Sequence, residues 1–442
     1  MKNELLKILE KRRMGIHCGI PSFCSANKLV IETVLEQARR YDDIVVIEAT
    51  SNQVNQFGGY MGMTSLDFKN YVYKIADNLE IDKSKIILGG DHLGPLPWCN
   101  FPAEQAMENA KVLVRDCVKA GYTKIHLDTS MLLGDDDITE RLSDDIIAER
   151  GAVLYKECIK AYNELLETEP DAVRPVFVIG SEVPVPGGAV DEEEKLSVTD
   201  THDFENTLIA YNKAFAKYGL NDAWNDIIAV VVQPGVEFSE TGIHQYDRYQ
   251  ARELSNKLKH YPNIVFEGHS TDYQPYEKLR EMVEDGIAII KVGPALTYAG
   301  REALFSLSMI EDELIENKAE RSNLRAVLEN IMLEDDSNWK KYYQGSENEK
   351  LLLRKYSFSD RSRYYFADKR VEAAVEKLFE NLNETGIPMH VLHQYMPLQY
   401  AKVRDGKIKC EARELVKESI RYIVENYNYA VKINYMMETI NL

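Results

Sequence analysis

"KIILGGDHLGP" (residues 85–95) reads as a β-strand that ends in chemistry. Ile86, Ile87 and Leu88 form a short apolar run, two glycines follow, and an acid stands beside an imidazole, Asp91-His92, before Gly94-Pro95 turns the chain. A run that is apolar at successive positions, rather than at every second one, is the pattern of a strand covered on both faces, as in a parallel sheet. Seven more runs of this kind lie to either side: "GIHCGIPS" (15–22), "IVVIEATSN" (44–52), "KIHLDTS" (124–130), "PVFVIGSEVP" (175–184), "IIAVVVQPG" (227–235), "IVFEGHSTD" (264–272) and "IAIIKVGPALT" (287–297). Stretches between them, such as "NKLVIETVLEQARRY" and "AEQAMENAKVLVRDCVKAG", space apolar residues three and four apart and predict helices.

Parallel strands joined by helical crossovers imply an α/β fold, and eight such units predict closure into a (β/α)8 TIM barrel. A doubly wound open sheet is the alternative, but no GxGxxG follows the first run. After residue 300 the pattern turns helical to the end, broken by "SDRSRYYF" (359–366) and "HQYMPLQYAKVRDGKI" (393–408). The expected organisation is a barrel over residues 1–315 with a helical C-terminal extension, 316–442, packed on it. The 442 residues, 45% hydrophobic and 28% charged, have globular composition. A net charge of −19 repels nucleic acid and anionic lipid, so neither is expected as a partner. Any phosphate site has to be a local arrangement of amides and a few cations. The six cysteines form no CxxC, and no apolar stretch reaches signal or membrane length, which points to the cytoplasm.

Barrels of this type carry their chemistry where the strands end. The runs end in His17, Glu48 with Asn52, Asp91 with His92, His126 with Asp128, Glu182, Gln233, Glu267 with His269, and Lys291. Residues two apart share a face of a strand, so His126 and Asp128 can both point inward, as can Glu267 and His269. Asp91 and His92 cannot do so in a regular strand; the Gly89-Gly90 pair is expected to release the backbone there. One polar group at a strand end is ordinarily a hydrogen-bond partner. Convergence of His92, Asp128, Glu182 and His269 from four strands is a mixed nitrogen and oxygen set that suits a catalytic divalent metal, Zn first, with Mn, Co, Ni or Mg as alternatives. Asp91 is the leading acid/base, with Glu182 as ligand or second base. His126 is expected to orient a ligand or touch substrate, and His17 to bind substrate or serve the framework. Lys291 is either a buried ion-pair partner or, if neutral, a Schiff-base nucleophile.

The segments "IEATSNQVNQFGGYMGMT" (47–64), "GGDHLGP" (89–95), "HLDTS" (126–130), "GSEVPVPGG" (180–188), "EGHSTDYQ" (267–274), "KVGPALT" (291–297) and "MPLQYAKVR" (396–404) resemble the tagatose-bisphosphate aldolase accessory-subunit family, GatZ/KbaZ, from about residue 15 onward. The resemblance implies a fold like that of the class II, metal-dependent aldolases. It places Asp91-His92 where those enzymes carry a catalytic Asp and a metal-binding His, Asp128 and Glu182 at acidic positions near the metal, and His269 at the metal-binding His of strand seven. Those aldolases carry a further His on strand six, where this chain has Gln233. Some relatives interconvert tagatose and fructose 6-phosphates. The activity implied is a metal-dependent ketohexose-phosphate 4-epimerase working by retro-aldol cleavage. The alternatives are a non-catalytic subunit that stabilises a separate class II aldolase chain, or the tagatose-bisphosphate aldolase itself. The expected partners are a phosphorylated ketohexose, an aldolase catalytic subunit under the second reading, and further copies of this chain. Substrate contacts are expected from Glu48, Asn52, His126 and Gln233. Phosphate is expected on the loops after strands seven and eight, held by Ser270, Thr271 and the backbone of Gly293 and Ala295. Arg301, Arg361 and Arg363 are the candidate cations.

Overall fold

In the computed structural model, which describes residues 2–139, 141–181 and 196–432, the eight runs become eight parallel strands. They are β1 (Ile20–Cys24), β2 (Val45–Thr50), β3 (Ile86–Leu93), β4 (Lys124–Leu127), β5 (Val176–Ile179), β6 (Ile227–Val232), β7 (Val265–Gly268) and β8 (Ile287–Val292). They close in the order β1-β8-β7-β6-β5-β4-β3-β2, so the chain is a (β/α)8 barrel. β6 and β8 are buried at every position, because one face lines the barrel and the other lies under helices. Covering helices start at side-chain caps: Asn27 accepts the amides of Leu29 and Val30, and Thr64 with Asp67 forms a capping box. The first strand begins only at Ile20. His17 therefore lies beneath the barrel, its Nδ1 3.0 Å from the Glu284 carbonyl, on the side away from the mouth.

The barrel interior is layered. Ile20, Val46, Ile87, Val178, Val231 and Ile289 pack with Leu5, Ile8 and Leu9 into an apolar floor. The helix α1 (Leu6–Arg13) thus closes the end opposite the mouth, and the buried Asn3 amide anchors it on the Thr123 carbonyl at 2.8 Å. Above the floor lies a belt of four buried charges. Lys124 Nζ is 2.8 Å from Glu48 Oε1 and 2.7 Å from Glu267 Oε2, and Lys291 Nζ is 2.9 Å from Glu48 Oε2. Strand register sets this level, since Glu48 stands opposite Gly89 and Gly89 opposite Lys124.

Beyond β8 the chain runs as helices from Pro294–Leu314 to Ala412–Val431, with a short 3-10 turn at Arg361–Tyr365. The last helix packs along Pro294–Leu314, Tyr276–Glu284 and Lys28–Tyr41. A small hairpin, Glu237–Phe238 with Ile243–His244, follows β6, and its Glu240 carbonyl accepts the Phe358 amide at 3.0 Å. Tyr273 Oη donates to the Phe358 carbonyl at 2.5 Å, so the segment after residue 356 is stitched onto the mouth. Among the described residues, no helix is long and apolar enough to cross a membrane.

Candidate active site

Asp91 and His92 are adjacent, yet both are buried at the mouth. His92 itself makes this possible: its φ is +46°, in the left-handed region, and the β3–β4 register slips between Gly90 and Leu93. A histidine there carries a local strain that the surrounding bonds must offset. The expectation that Gly89-Gly90 would supply the freedom is corrected, since neither has a positive φ. Those glycines supply room. A Cβ on Gly89 would stand 2.5 Å from Glu48 Oε1, where that side chain crosses strand three to reach Lys124.

Three imidazoles meet above the belt. The ring centres of His92, His126 and His269 are 5.0, 4.9 and 5.0 Å apart, an almost equilateral triangle. Each ring is tied through one nitrogen to a carboxylate: His92 Nδ1 to Asp128 Oδ2 at 2.7 Å, His269 Nε2 to Glu267 Oε1 at 2.9 Å, and His126 Nδ1 to Asp91 Oδ1 at 3.0 Å. For His92 and His269 such a tie fixes the tautomer and leaves the other nitrogen with a lone pair, whereas His126 Nδ1 also accepts the His92 backbone amide at 3.1 Å. His126 Nε2 is buried and has no hydrogen-bond partner. One ligand atom from each ring and one from Asp91 lie within 4.8 Å of one another. Burial pushes His269 down to about 3, so that ring is neutral and free to bind a cation. Against the effect of burial, Asp91 and Asp128 push His92 up. Counted with the rings uncharged, as cation ligands must be, four carboxylates (Glu48, Asp91, Asp128, Glu267) face two ammonium groups (Lys124, Lys291). The surplus is two negative charges in a dry interior, which one divalent cation would balance. The donor set and the charge both fit the group.

Asp128, expected as a ligand, stands outside the converging set, because its oxygens are engaged by His92 and by the Ser130 amide and hydroxyl. His126, expected to orient a ligand or touch substrate, stands in the converging set itself. Gln233 cannot replace a strand-six histidine: its Oε1 folds back to accept the Gly235 and Val236 amides at 2.9 and 3.0 Å. Glu48, expected to touch substrate, lies in the belt below the cavity. Glu182 falls outside the described residues.

Burial opposes ionisation of Asp91, but His92, Lys291 and His126 hold its carboxyl well below the usual range. Its second oxygen, Oδ2, is 3.5 Å from the Cys24 thiol. Lys291 is ion-paired to both Asp91 and Glu48, which outweigh burial and keep it protonated. A Schiff base needs the neutral amine, so this pairing weighs against the Schiff-base alternative.

A cavity of about 770 Å³ opens over this cluster, and Asp91, His92, His269, Lys291, Asn52, Ser270, Gly293 and Arg301 line it. Thr271 and Ala295, expected on phosphate, do not. The Thr271 hydroxyl donates to the Lys291 carbonyl at 2.6 Å, and the Gly293 and Ala295 amides both donate to Asp272 Oδ1, at 3.0 and 2.8 Å. Arg301 lines the cavity but is bound through Nε to Asp360 at 2.7 Å. Sequence reading missed Gln53, Tyr60 and Asp272 on the cavity wall and Lys124 beneath it. For Lys124 the signal was present, because Lys124, His126 and Asp128 alternate on one face of an otherwise apolar strand.

Residues 5–432 match the family described as D-tagatose-1,6-bisphosphate aldolase subunit GatZ/KbaZ-like. A Sinorhizobium meliloti 1021 protein, described as a probable tagatose 6 phosphate kinase, is 41% identical; the match covers 93% of this chain and 100% of that one, with a TM-score of 0.83. A Campylobacter jejuni fructose-bisphosphate aldolase is 14% identical over 86% of this chain and 94% of its own, with a TM-score of 0.41. The YdjI aldolase of Escherichia coli K12 is 12% identical over 88% and 98%, at 0.39. These two are too remote to bear on function. With nearly its whole length matched, the chain belongs to the GatZ/KbaZ-like family of D-tagatose-1,6-bisphosphate aldolase subunits.

Proposed function

We propose that this chain is a metal-dependent ketohexose-phosphate 4-epimerase that interconverts tagatose 6-phosphate and fructose 6-phosphate. Three imidazoles, each within hydrogen-bond reach of a carboxylate and each offering a ligand atom within 4.8 Å of the others and of Asp91, support this reading most directly. His92, His126 and His269 would hold the cation, with Glu182 a further candidate ligand. A divalent ion there, Zn first, would supply Lewis acidity for the charge that develops as a carbon–carbon bond breaks.

The C4 hydrogen of a 2-ketose is not acidic, so inversion at C4 calls for breaking C3–C4. Asp91, held ionised in the cavity, accepts the proton of the 4-hydroxyl. The C3–C4 electron pair moves onto C3 and the C2 oxygen, leaving an enediolate and an aldehyde. Once the aldehyde has turned its other face, C3 attacks it and Asp91 returns the proton to O4. The Lys291 ammonium beside Asp91 keeps positive charge near the developing anion. Turning without escape requires a cover. Tyr60, on the loop after β2, meets Tyr364 of the C-terminal extension edge to face at 4.7 Å, which is the contact such a cover needs.

The purified chain, given a divalent metal and fructose 6-phosphate, should form tagatose 6-phosphate with little free triose. Solvent deuterium appearing at C4 would reject cleavage in favour of proton abstraction or redox chemistry. The family's description as an aldolase subunit favours a second reading, that of an accessory chain. No turnover alone, together with stabilisation of a co-expressed aldolase chain, would establish that instead.

A further inference from the structure

The amides at the start of the helix after β8 are where a barrel of this kind would receive a phosphate. In this chain a carboxylate already sits there. Asp272, 3% exposed, takes both the Gly293 and the Ala295 amide on one oxygen. A phosphate brought to the same amides would meet a buried negative charge at contact distance, an arrangement that neither group can relieve without moving. The Thr271 hydroxyl is engaged as well, with the Lys291 carbonyl and Tyr427. If the sugar has an anionic end, that end needs a cation elsewhere in the cavity.

The three arginines of the C-terminal side differ in what they have left to give. Arg301 is bound to Asp360. Arg361 lies 3.9 Å from Glu240 and flat against the Tyr342 ring. Arg363 makes no ion pair among the described residues, yet it lines the same cavity as Asp91, His92 and His269. Its Nη1 is committed to the Ser359 and Asp360 carbonyls and its Nη2 to the Tyr364 hydroxyl at 2.8 Å, with the guanidinium stacked 4.4 Å from the Tyr364 ring. These bonds hold the group rigidly, and although Asp360 and Asp272 act on it electrostatically, neither forms an ion pair with it. An enclosed cation whose direct partners are neutral acceptors is poised for an anion from outside.

We infer that Arg363 receives the anionic end of the substrate, in place of the β8 amides that Asp272 occupies. The inference rests on the reading of this cavity as a sugar-phosphate site and names the residue that selects the charged end. Placed on the 3-10 turn beside the Tyr60–Tyr364 contact, Arg363 also links charge recognition to the cover.

Inorganic phosphate is the probe, measured by titration calorimetry on the metal-loaded protein. Arg363→Gln should weaken phosphate roughly 10-fold or more, Arg363→Lys should fall between, and Asp272→Asn should leave affinity within about 3-fold of wild type. If Arg363→Gln does not fold, the Lys variant, which keeps the charge and loses the fork, supplies the comparison. Wild-type affinity in both arginine variants, or a 10-fold gain in Asp272→Asn that persists when Arg363→Gln is added, would return the phosphate to the β8 amides and overturn the inference. Competition by a ketose 6-phosphate, a ketose with a C6 carboxylate and the neutral ketose then identifies the anion. The 6-phosphate should lose affinity in Arg363→Gln while the neutral sugar does not. Dependence of the carboxylate alone would support the anion site and reject the proposed substrate. Because phosphate binding is read without turnover, the inference can stand if the epimerase reading fails, and fail if it stands.

Discussion

An alanine methyl at position 89 would meet the Glu48 carboxylate at 2.5 Å, with that side chain already locked between two lysines. It cannot swing away without leaving Lys124 underpaired in a dry interior. Gly89→Ala should therefore cost about 2–4 kcal/mol in denaturant unfolding, although the site faces neither solvent nor substrate. A change under about 0.5 kcal/mol would mean that the belt tolerates rearrangement. Asp272 offers a pH signature of its own. Burial pushes it up to about 6, against the pull of the Ala295 and Gly293 amides. The folded protein then binds a proton that the unfolded chain has already released, so this residue's contribution to stability is greatest at low pH and is lost as pH rises from about 4 through 6. Asp272→Asn keeps the acceptor oxygen and removes the titration. The difference in stability between variant and wild type should grow in favour of the variant by of order 1–3 kcal/mol between pH 4 and pH 7, read from thermal melts. A constant difference would place the Asp272 carboxyl at its ordinary value.

Strand four concentrates the chemistry of this barrel, with Lys124 in the belt, His126 in the imidazole triangle and Asp128 behind His92. If His126 is a ligand and Asp128 its neighbour's support, His126→Ala should abolish bound metal while the fold persists. Asp128→Asn should retain metal at about 10–100-fold lower affinity, measured by chelator competition. Equal loss in both variants would restore Asp128 to the ligand set. That division of labour was not legible in the sequence, although all eight strands were. Strands covered on both faces announce themselves as apolar runs, so the barrel follows from local pattern. Which of two inward groups reaches a common point depends on the positive φ at His92 and on a register slip between strands, and neither leaves a residue signature. The contact that bears on the expected phosphate loop was hidden for a related reason. Asp272, after β7, takes the amide of Gly293, after the neighbouring β8, a contact that no short motif encodes. The floor was missed although its signal was present, for Leu5, Ile8 and Leu9 recur at helical spacing ahead of the first strand.

At the scale of the whole molecule, the C-terminal extension completes the mouth that the barrel begins. Tyr364 arrives from far along the chain to meet Tyr60, and Phe358 is bonded to both the hairpin after β6 and Tyr273. Tyr364→Ala should loosen this cover without touching the imidazoles. The expected result is an epimerase that leaks: metal content unchanged, and free triose released per turnover up by roughly tenfold or more. Product ratios identical to wild type would show that fragment retention lies elsewhere. The helix under the barrel has a consequence for the same event. With Leu5, Ile8 and Leu9 filling the far end, the chamber is a cul-de-sac, and substrate, product, water and exchanging protons share one gate. Traffic through that gate is therefore mutually exclusive. Under the proposed cleavage, an aldehyde detained behind that gate has no rear exit, so its retention rests on the mouth alone.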